Sequence, residues 1–384
     1  MSFHTIPVLD LALARDPSTK PTFLLDLRHA VLEVGFLYIK NTGIDEALVL
    51  KAISQAKDFF DLPLEKKMED TFVERAGRHP AAANSIGEPQ DIANLAMKLL
   101  ASRLTGANKS TSPPRTPTGP AAPLYHNLLA PNQWPDPQCV PNFRPVYEEY
   151  MKQMAAISMT FVSLVAEAIG LPPNAFSRFF DEDQQHKLKI LKYPDLQALG
   201  VDGNVEQQGV GPHKDSMLSS YLLQASHHRG LQVQNHLGEW IDCPPIDGTF
   251  VVAIGQGLEA VTQGVCQSTT HRVLSPAPGS GPRYSIPFFQ GISYDATFES
   301  MAVPEHVKAL RQEINKRNGV RQDDIEFTFS KGRWGHLGEA TLINRVKSHP
   351  DVGERWYPTL LQKIREEQAS NNQVAEMPQG GVKD

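Results

Sequence analysis

Cysteine is scarce: the 384 residues contain three, Cys139, Cys243 and Cys266, scattered and without a CxxC pair, which excludes a disulfide framework and a structural zinc cluster. Long apolar runs are missing as well. The longest, Ala156 to Ala166, is interrupted by Ser158, Thr160 and Ser163, so no transmembrane helix is expected. Neither sign of charge dominates: 37 basic and 43 acidic residues leave a net charge of −6, without the basic patch a nucleic-acid or anionic-membrane binder would need. The opening MSFHTIPVLDLALARD lacks a basic segment followed by an apolar run and does not read as a secretory signal. These absences predict a cytoplasmic protein with a small-molecule partner, no nucleic acid and no membrane. Composition carries no signature of oligomeric state.

What is present predicts a folded chain, 40% apolar and 21% charged. With no internal repeat and no second independent core, residues 1–384 read as one domain with a β centre and helical flanks. In the amino-terminal segment, 1–130, Ile6 to Leu11 and Gly35 to Lys40 are strand candidates, and Phe23 to Val34 and Glu46 to Phe60 have helical period. Within the stretch 71–123, Thr105 to Pro123 carries five prolines and no apolar periodicity, so it reads as a loop, which we expect to cover the mouth of a barrel. Tyr147, Tyr150, Met154, Ile157, Phe161, Leu164 and Ala168 then recur at spacings of three and four, with Gly170 and Pro172 as stop signals, as a helix backing onto a sheet requires.

From 186 to 290 the pattern changes to short strand-like segments, HKLKILKY, SSYLLQ, LQVQNH, TFVVAIG, THRVL and RYSIPFF, separated by turn residues as in an antiparallel sandwich or barrel. Helical character returns from Pro304 through Arg317, from Gly338 to Lys347 and from Pro358 to Glu367. The tail, 368–384, reads as frayed.

Inside the β run, Gly211-Pro-His213-Lys-Asp215 places two potential metal ligands two residues apart, and strand geometry would point both to one face. A lone His-x-Asp is commonplace. Here Thr270-His271-Arg-Val supplies a second imidazole on another predicted strand, completing two imidazoles and one carboxylate, a set that leaves coordination positions of an octahedral ferrous ion open. On the next strand Arg283-Tyr-Ser285 puts a guanidinium and a hydroxyl on one face, a fork of donors suited to a carboxylate. His227, His228 and His236 fall in polar or turn-like sequence and read as exposed loop residues.

At these residues the chain resembles the isopenicillin N synthase-like branch of the non-haem Fe(II)/2-oxoglutarate-dependent oxygenases. IPVLDL, GFLYIKNTGI and FFDLPLEKK are similar to that family's amino-terminal part, and APNQWPD, KYPD, GPHKDSMLSSYLLQ, GLQVQNHLGEWIDCPP, STTHRV and RYSIPFF follow in family order. The resemblance implies a distorted double-stranded β-helix, a jelly-roll or cupin-like fold, with iron in the barrel mouth. It implies that His213, Asp215 and His271 hold Fe(II) and are catalytic, and that Arg283, Ser285 and Tyr193 bind 2-oxoglutarate as cosubstrate beside O2. It further implies oxidation of an unactivated C–H bond in a specialised metabolite, by hydroxylation, desaturation or ring formation, with succinate and CO2 as coproducts.

Two positions depart from the family pattern: Leu191 stands where many members have asparagine, and the usual Ile-Gly-Asp before the third ligand reads Ile254-Gly255-Gln256. Alternation puts Lys189, Leu191 and Tyr193 on one face, so Lys189 could point inward toward an acidic substrate group, unless a register slip of one turns it to solvent. Leu191 and Phe289 are the other substrate-side candidates. Two rival functions fit the same residues. One is an iron oxidase that dispenses with 2-oxoglutarate and uses Arg283 and Ser285 on the substrate's own carboxylate; the other is a non-catalytic small-molecule binding protein.

Overall fold

The computed structural model describes residues 2–69, 102–105, 123–128, 132, 134–180, 185–198, 200, 208–297, 303–318, 336–348 and 350–375. Its centre is two facing sheets. The larger has seven strands: β1 (Val8–Asp10), β2 (Phe36–Lys40), β3 (Ser102–Thr105), β4 (Lys187–Tyr193), β6 (Ser219–Gln224), β9 (Thr249–Ile254) and β11 (Arg283–Gln290), in the order β1-β2-β9-β6-β11-β4-β3. The smaller has four, β5 (Gln208–His213), β7 (Leu231–Gln234), β8 (Trp240–Asp242) and β10 (His271–Leu274), in the order β5-β10-β7-β8. All pairings are antiparallel except β1 with β2. This is the mainly β, helix-flanked jelly roll expected.

The large sheet works as a partition. Side chains on successive residues of a strand point to opposite faces, and here one face meets helices while the other lines the barrel. Leu37 and Ile39 of β2, Phe250, Val252 and Ile254 of β9, Tyr221 and Leu223 of β6, Leu188 and Ile190 of β4, and Ile286 and Phe288 of β11 join the helices in the main apolar core. The residues between them face the other way: Phe36, Tyr38, Val251, Ala253 and Tyr193 pack with Leu231, Val233 and Val273 of the small sheet. Because β9 is buried on both faces, it reads as an uninterrupted apolar run, not an alternating one.

The helix beneath the sheet is α4 (Phe143–Ala168), with all seven stripe residues, Tyr147 through Ala168, buried. It stops at Gly170, in the left-handed region at φ 82°, where the Leu171 amide closes back on the Ala166 carbonyl. Alongside lie α1 (Lys20–His29), followed by a π-turn over Ala30–Val34, and α2 (Glu46–Asp61), capped by Asp45 accepting from the Ala47 amide at 2.9 Å. α3 (Leu64–Glu69) follows, α5 (Gln256–Val261) leaves β9, and α6 (Glu305–Asn318) packs its Val307 and Ile314 into the same core. The carboxy-terminal helices α7 (Leu337–Ser348), α8 (Pro350–Trp356) and α9 (Pro358–Ala375) form a second apolar cluster, Leu342, Ile343, Val346, Tyr357, Leu361 and Ile364, around Tyr125 and Tyr294. Among the described residues no helix is long and apolar enough to cross a membrane.

Several expectations are corrected. The tail is helical as far as Ala375, because Gln368, Ala369 and their neighbours follow a formed helix and propagation costs far less than nucleation. β8, α5 and α8 are elements the sequence pattern does not announce, and β5 was read as a strand only at its His213 end, because QGVGPH has two glycines and a proline in six residues and so no readable period. The stretch 71–123, apart from β3 and residue 123, lies outside the described residues, and with it the expected cover over the barrel mouth; β3 itself pairs with β4, with Arg103 opposite Lys189. His236 is half-buried, its Nε2 2.9 Å from the Glu33 carbonyl, and half-buried His228 reaches the Ser280 carbonyl, so neither is a free loop residue; His227 is exposed.

Gly35 links this frame to the barrel interior. It sits at φ 69° between the π-turn and β2, and a methyl group there would overlap the Gln267 carbonyl oxygen and the Thr269 hydroxyl. Thr269 in turn donates to the Val34 carbonyl at 2.7 Å, two residues before His271. Gly35→Ala is therefore expected to lower the unfolding free energy by about 2 to 4 kcal/mol, from the left-handed backbone and the overlap together. Urea unfolding measures it, and a loss under about 1 kcal/mol would show that the turn yields.

Candidate metal centre and cavity

His213 ends β5 and His271 begins β10, and the two are direct cross-strand partners with ring centroids 4.2 Å apart. Asp215 lies just past the end of β5, not on the strand as the His-x-Asp spacing suggested. Its place is set by the backbone. The Gln256 amide donates to the Asp215 carbonyl at 2.8 Å, and the Gly255 and Gly257 amides donate to Leu218 and Met217. A Cβ on Gly255 would collide with the Met217 carbonyl. The Ile254-Gly255-Gln256 turn thus clamps the Asp215 segment through main-chain groups, which is why glutamine can occupy its third position.

Each imidazole offers the same nitrogen to the centre. His213 Nδ1 is 2.9 Å from the Gly211 carbonyl and His271 Nδ1 is 3.2 Å from the Thr269 carbonyl, which fixes the proton on Nδ1 and leaves the Nε2 lone pair inward. The two Nε2 atoms stand 3.7 and 3.9 Å from Asp215 Oδ1, and one ligand atom from each residue lies within 4.8 Å of the others. Burial pushes His271 down to about 4, so it is neutral at neutral pH. Burial opposes ionisation of Asp215, but the neighbouring imidazoles, the Ser220 hydroxyl and Lys189 outweigh it and hold the carboxyl below its ordinary value. Ser220 donates to Asp215 Oδ2 at 2.5 Å, orienting the carboxylate so that Oδ1 faces the histidines. Two imidazole nitrogens and one carboxylate oxygen suit a borderline divalent cation such as Fe(II).

The triad lines a cavity of about 370 Å³, inside the range of roughly 300 to 1,000 Å³ in which proteins enclose small molecules. Tyr193, Leu191 and Lys189 of β4, and Ser285 and Phe289 of β11, line it too, so the register puts Lys189 inward. Lys187 shares that parity and was missed, although extending the alternation by two residues would have found it. Ser220 was also missed, since its pairing with Asp215 depends on the chain turning back after β5.

Arg283 pairs opposite Tyr193, with its guanidinium 5.0 Å from the ring centroid. The side chain is 1% exposed. Its Nη2 reaches Gln224 Oε1 only at 3.4 Å, and neither Nε nor Nη1 has a hydrogen-bond partner in the protein. Burial pushes this guanidinium down, against the support of Tyr193. A buried cation with two unmatched N–H groups fits a carboxylate-bearing ligand such as 2-oxoglutarate.

Comparison with known proteins agrees. Residues 186–292 match the model of the 2OG-Fe(II) oxygenase superfamily, and residues 6–98 match that of the non-haem dioxygenase in morphine synthesis N-terminal region. The chain is 61% identical to the 2-oxoglutarate-dependent dioxygenase frbJ of Dothideomycetidae sp., over 99% of this chain and 100% of that protein. It is 36% identical to a 2-oxoglutarate-dependent dioxygenase of Gibberella zeae, over 98% and 97%. Its fold is similar to that of a full-length Neurospora crassa protein solved in complex with alpha-KG and thymine, with a TM-score of 0.65, 22% identity, and coverage of 89% of this chain and 97% of that one.

The unmatched Arg283 has a measurable consequence without any ligand. Arg283→Leu removes a buried charge whose desolvation is poorly compensated, and should raise the stability of the metal- and ligand-free protein by about 1 to 3 kcal/mol in denaturant unfolding. A loss of stability instead would mean that the guanidinium is satisfied within the protein.

Proposed function

The chain belongs to the 2-oxoglutarate- and iron(II)-dependent oxygenases, and on that premise we propose that it oxidises an unactivated C–H bond of a small specialised metabolite. The balanced reaction consumes the C–H substrate, 2-oxoglutarate and O2 and yields the C–OH product, succinate and CO2. Hydroxylation is the outcome proposed, with desaturation or ring formation as its variants on other substrates. The observation that carries this reading is the pairing, in one barrel, of an N,N,O ligand set with a buried guanidinium whose Nε and Nη1 have no hydrogen-bond partner in the protein. The 2-oxoglutarate-independent oxidase and the non-catalytic binding protein both give way to the premise, because a relative of 61% identity is a 2-oxoglutarate-dependent dioxygenase.

Bound ferrous iron with 2-oxoglutarate supplies the dioxygen activation that no side chain can perform. His213, Asp215 and His271 are the proposed protein ligands, three only, so that cosubstrate and dioxygen find room. Their carbonyl and hydroxyl partners, Gly211, Thr269 and Ser220, hold the donor atoms inward before metal arrives. Arg283 and Ser285, both 1% exposed, bind the distal carboxylate of 2-oxoglutarate, with Tyr193 as the third contact. Leu191 and Phe289, with Phe36, Leu222 and Val251, form the apolar wall that keeps water from the reacting carbon.

Anaerobic addition of ferrous iron and then 2-oxoglutarate should give a visible charge-transfer band, and air with substrate should give succinate. His213→Ala, Asp215→Ala and His271→Ala should each abolish turnover while circular dichroism stays that of the folded barrel, whose apolar core lies elsewhere. Full iron occupancy and wild-type turnover in any of the three would remove that residue from the ligand set.

Arg283→Leu, more stable without ligands, should nevertheless raise the 2-oxoglutarate requirement steeply, by the roughly 2 to 5 kcal/mol that a buried carboxylate loses with its charged partner. Titration of the charge-transfer band measures this directly. An unchanged titration would move the carboxylate away from Arg283.

A further inference from the structure

Strand β6 carries Ser220, Leu222 and Gln224 on its inward parity. Ser220 orients Asp215 and Leu222 lines the apolar wall, while Gln224 stands opposite Ser285 of β11. At the rise of a β-strand, Ser220 and Gln224 lie roughly 13 Å apart. One strand thus reaches from the metal ligands to the carboxylate fork.

The Gln224 amide is held at both of its polar atoms. Nε2 donates to the Cys243 carbonyl at 3.1 Å, and Oε1 accepts from Arg283 Nη2 at 3.4 Å. A carbonyl can only accept, so the Cys243 contact decides which way the amide faces and turns Oε1 to the guanidinium. Cys243 is itself fixed: it is buried where the chain leaves β8, and its amide donates to the Leu231 carbonyl at 2.9 Å. Gln224 therefore ties Arg283, on the large sheet, to the backbone of the small one.

The guanidinium is held on two sides, by the Tyr193 ring over its face and by Gln224 at one edge. Glutamine suits this place better than either close alternative. A glutamate would pair with Arg283 outright and leave no net charge for a ligand, whereas an aliphatic side chain would leave the fork free to swing. At 3.4 Å the amide contact is long, so it directs the guanidinium and leaves its charge available, with Nε and Nη1 still unmatched.

Resting on the oxygenase reading above, we propose that Gln224 is a positioning residue for the cosubstrate, a neutral amide that fixes the Arg283 fork without neutralising it and so sets the length of 2-oxo diacid the site accepts. A planar fork is strict about the angle of the carboxylate it binds. Pinned at one edge, it becomes strict about distance as well.

The test titrates the full chain, loaded anaerobically with ferrous iron, with 2-oxoglutarate and with 2-oxoadipate, one methylene longer. The charge-transfer band reads binding, and urea unfolding of the ligand-free protein runs alongside. We expect the wild type to bind 2-oxoglutarate about tenfold or more tightly than 2-oxoadipate, the order of one hydrogen bond to a charged group. In Gln224→Met, similar in size but without the amide oxygen, 2-oxoglutarate should bind about tenfold more weakly and the preference should fall toward unity. In Gln224→Glu binding should weaken about a hundredfold, because a second carboxylate then occupies the fork.

Ligand-free Gln224→Glu should nevertheless be at least as stable as the wild type, since its carboxylate gives the buried guanidinium a partner. A residue that only supports the fold would lose stability and affinity together. Gln234→Met, at a glutamine bonded to the Gly238 carbonyl on the small sheet, should change neither the preference nor the affinity. No length preference in the wild type, an undiminished preference in Gln224→Met, or parallel losses of stability and affinity in Gln224→Glu overturns the inference while leaving the oxygenase reading intact. So does unweakened binding in Gln224→Glu. Should Gln224→Met fail to fold, Gln224→Glu and the wild-type preference decide. If the band never forms in the wild type, the oxygenase reading fails first and the inference with it.

Discussion

Everything at the site depends on the two-residue period of the large sheet. β2, β4, β6, β9 and β11 give their alternate side chains to a helical layer that cannot tolerate polarity, and so their other side chains to the barrel. Leu188 and Ile190 anchor β4 against the helices, and it follows that Lys187, Lys189, Leu191 and Tyr193 all face inward. Ile286 and Phe288 do the same for β11, which turns Arg283, Ser285 and Phe289 to the barrel side. A one-residue slip on either strand would bury lysine or arginine among phenylalanines and expose leucine, so the apolar face enforces the register of the polar one.

The interior holds groups that folding alone would not favour. Arg283 is enclosed with two N–H groups unmatched, and Asp215 is an ionised carboxylate withdrawn from water. Such groups are retained where a ligand completes them. The small sheet makes the complementary contribution: the β5–β10 pairing sets two imidazoles opposite each other, and carbonyl oxygens at Gly211 and Thr269 select the tautomer that aims both lone pairs at one point. Rigidity comes from the backbone. The Gly255 turn grips the Asp215 segment by main-chain amides, and the Gly35 turn steadies the approach to His271.

The amphipathic stripe of α4 was legible because burial of a helix on a sheet demands that spacing, and its residues are buried as read. The strands β2, β4, β6, β9 and β11 were legible for the same reason at the other period. β5 was legible only at its His213 end, because glycines and a proline remove the alternation from the rest of Gln208–His213, whose strand geometry comes from pairing with β10. The helical extent of α9 past Gln368 was hidden by polar composition, since a polar sequence continues a helix that an apolar turn has already nucleated.

By itself, the sequence determined the chemistry on offer: two imidazoles, one carboxylate and an Arg-x-Ser pair, a metal-ligand set beside a carboxylate-binding pair, while the class of reaction followed from resemblance to a known family. Tertiary structure decided which atoms meet. That Asp215 leaves the strand and is aimed by Ser220, that Nε2 and not Nδ1 points inward, and that Arg283 lies enclosed against Tyr193 are consequences of contacts between elements distant in the chain. No local pattern encodes them, because each depends on how two sheets close on one another.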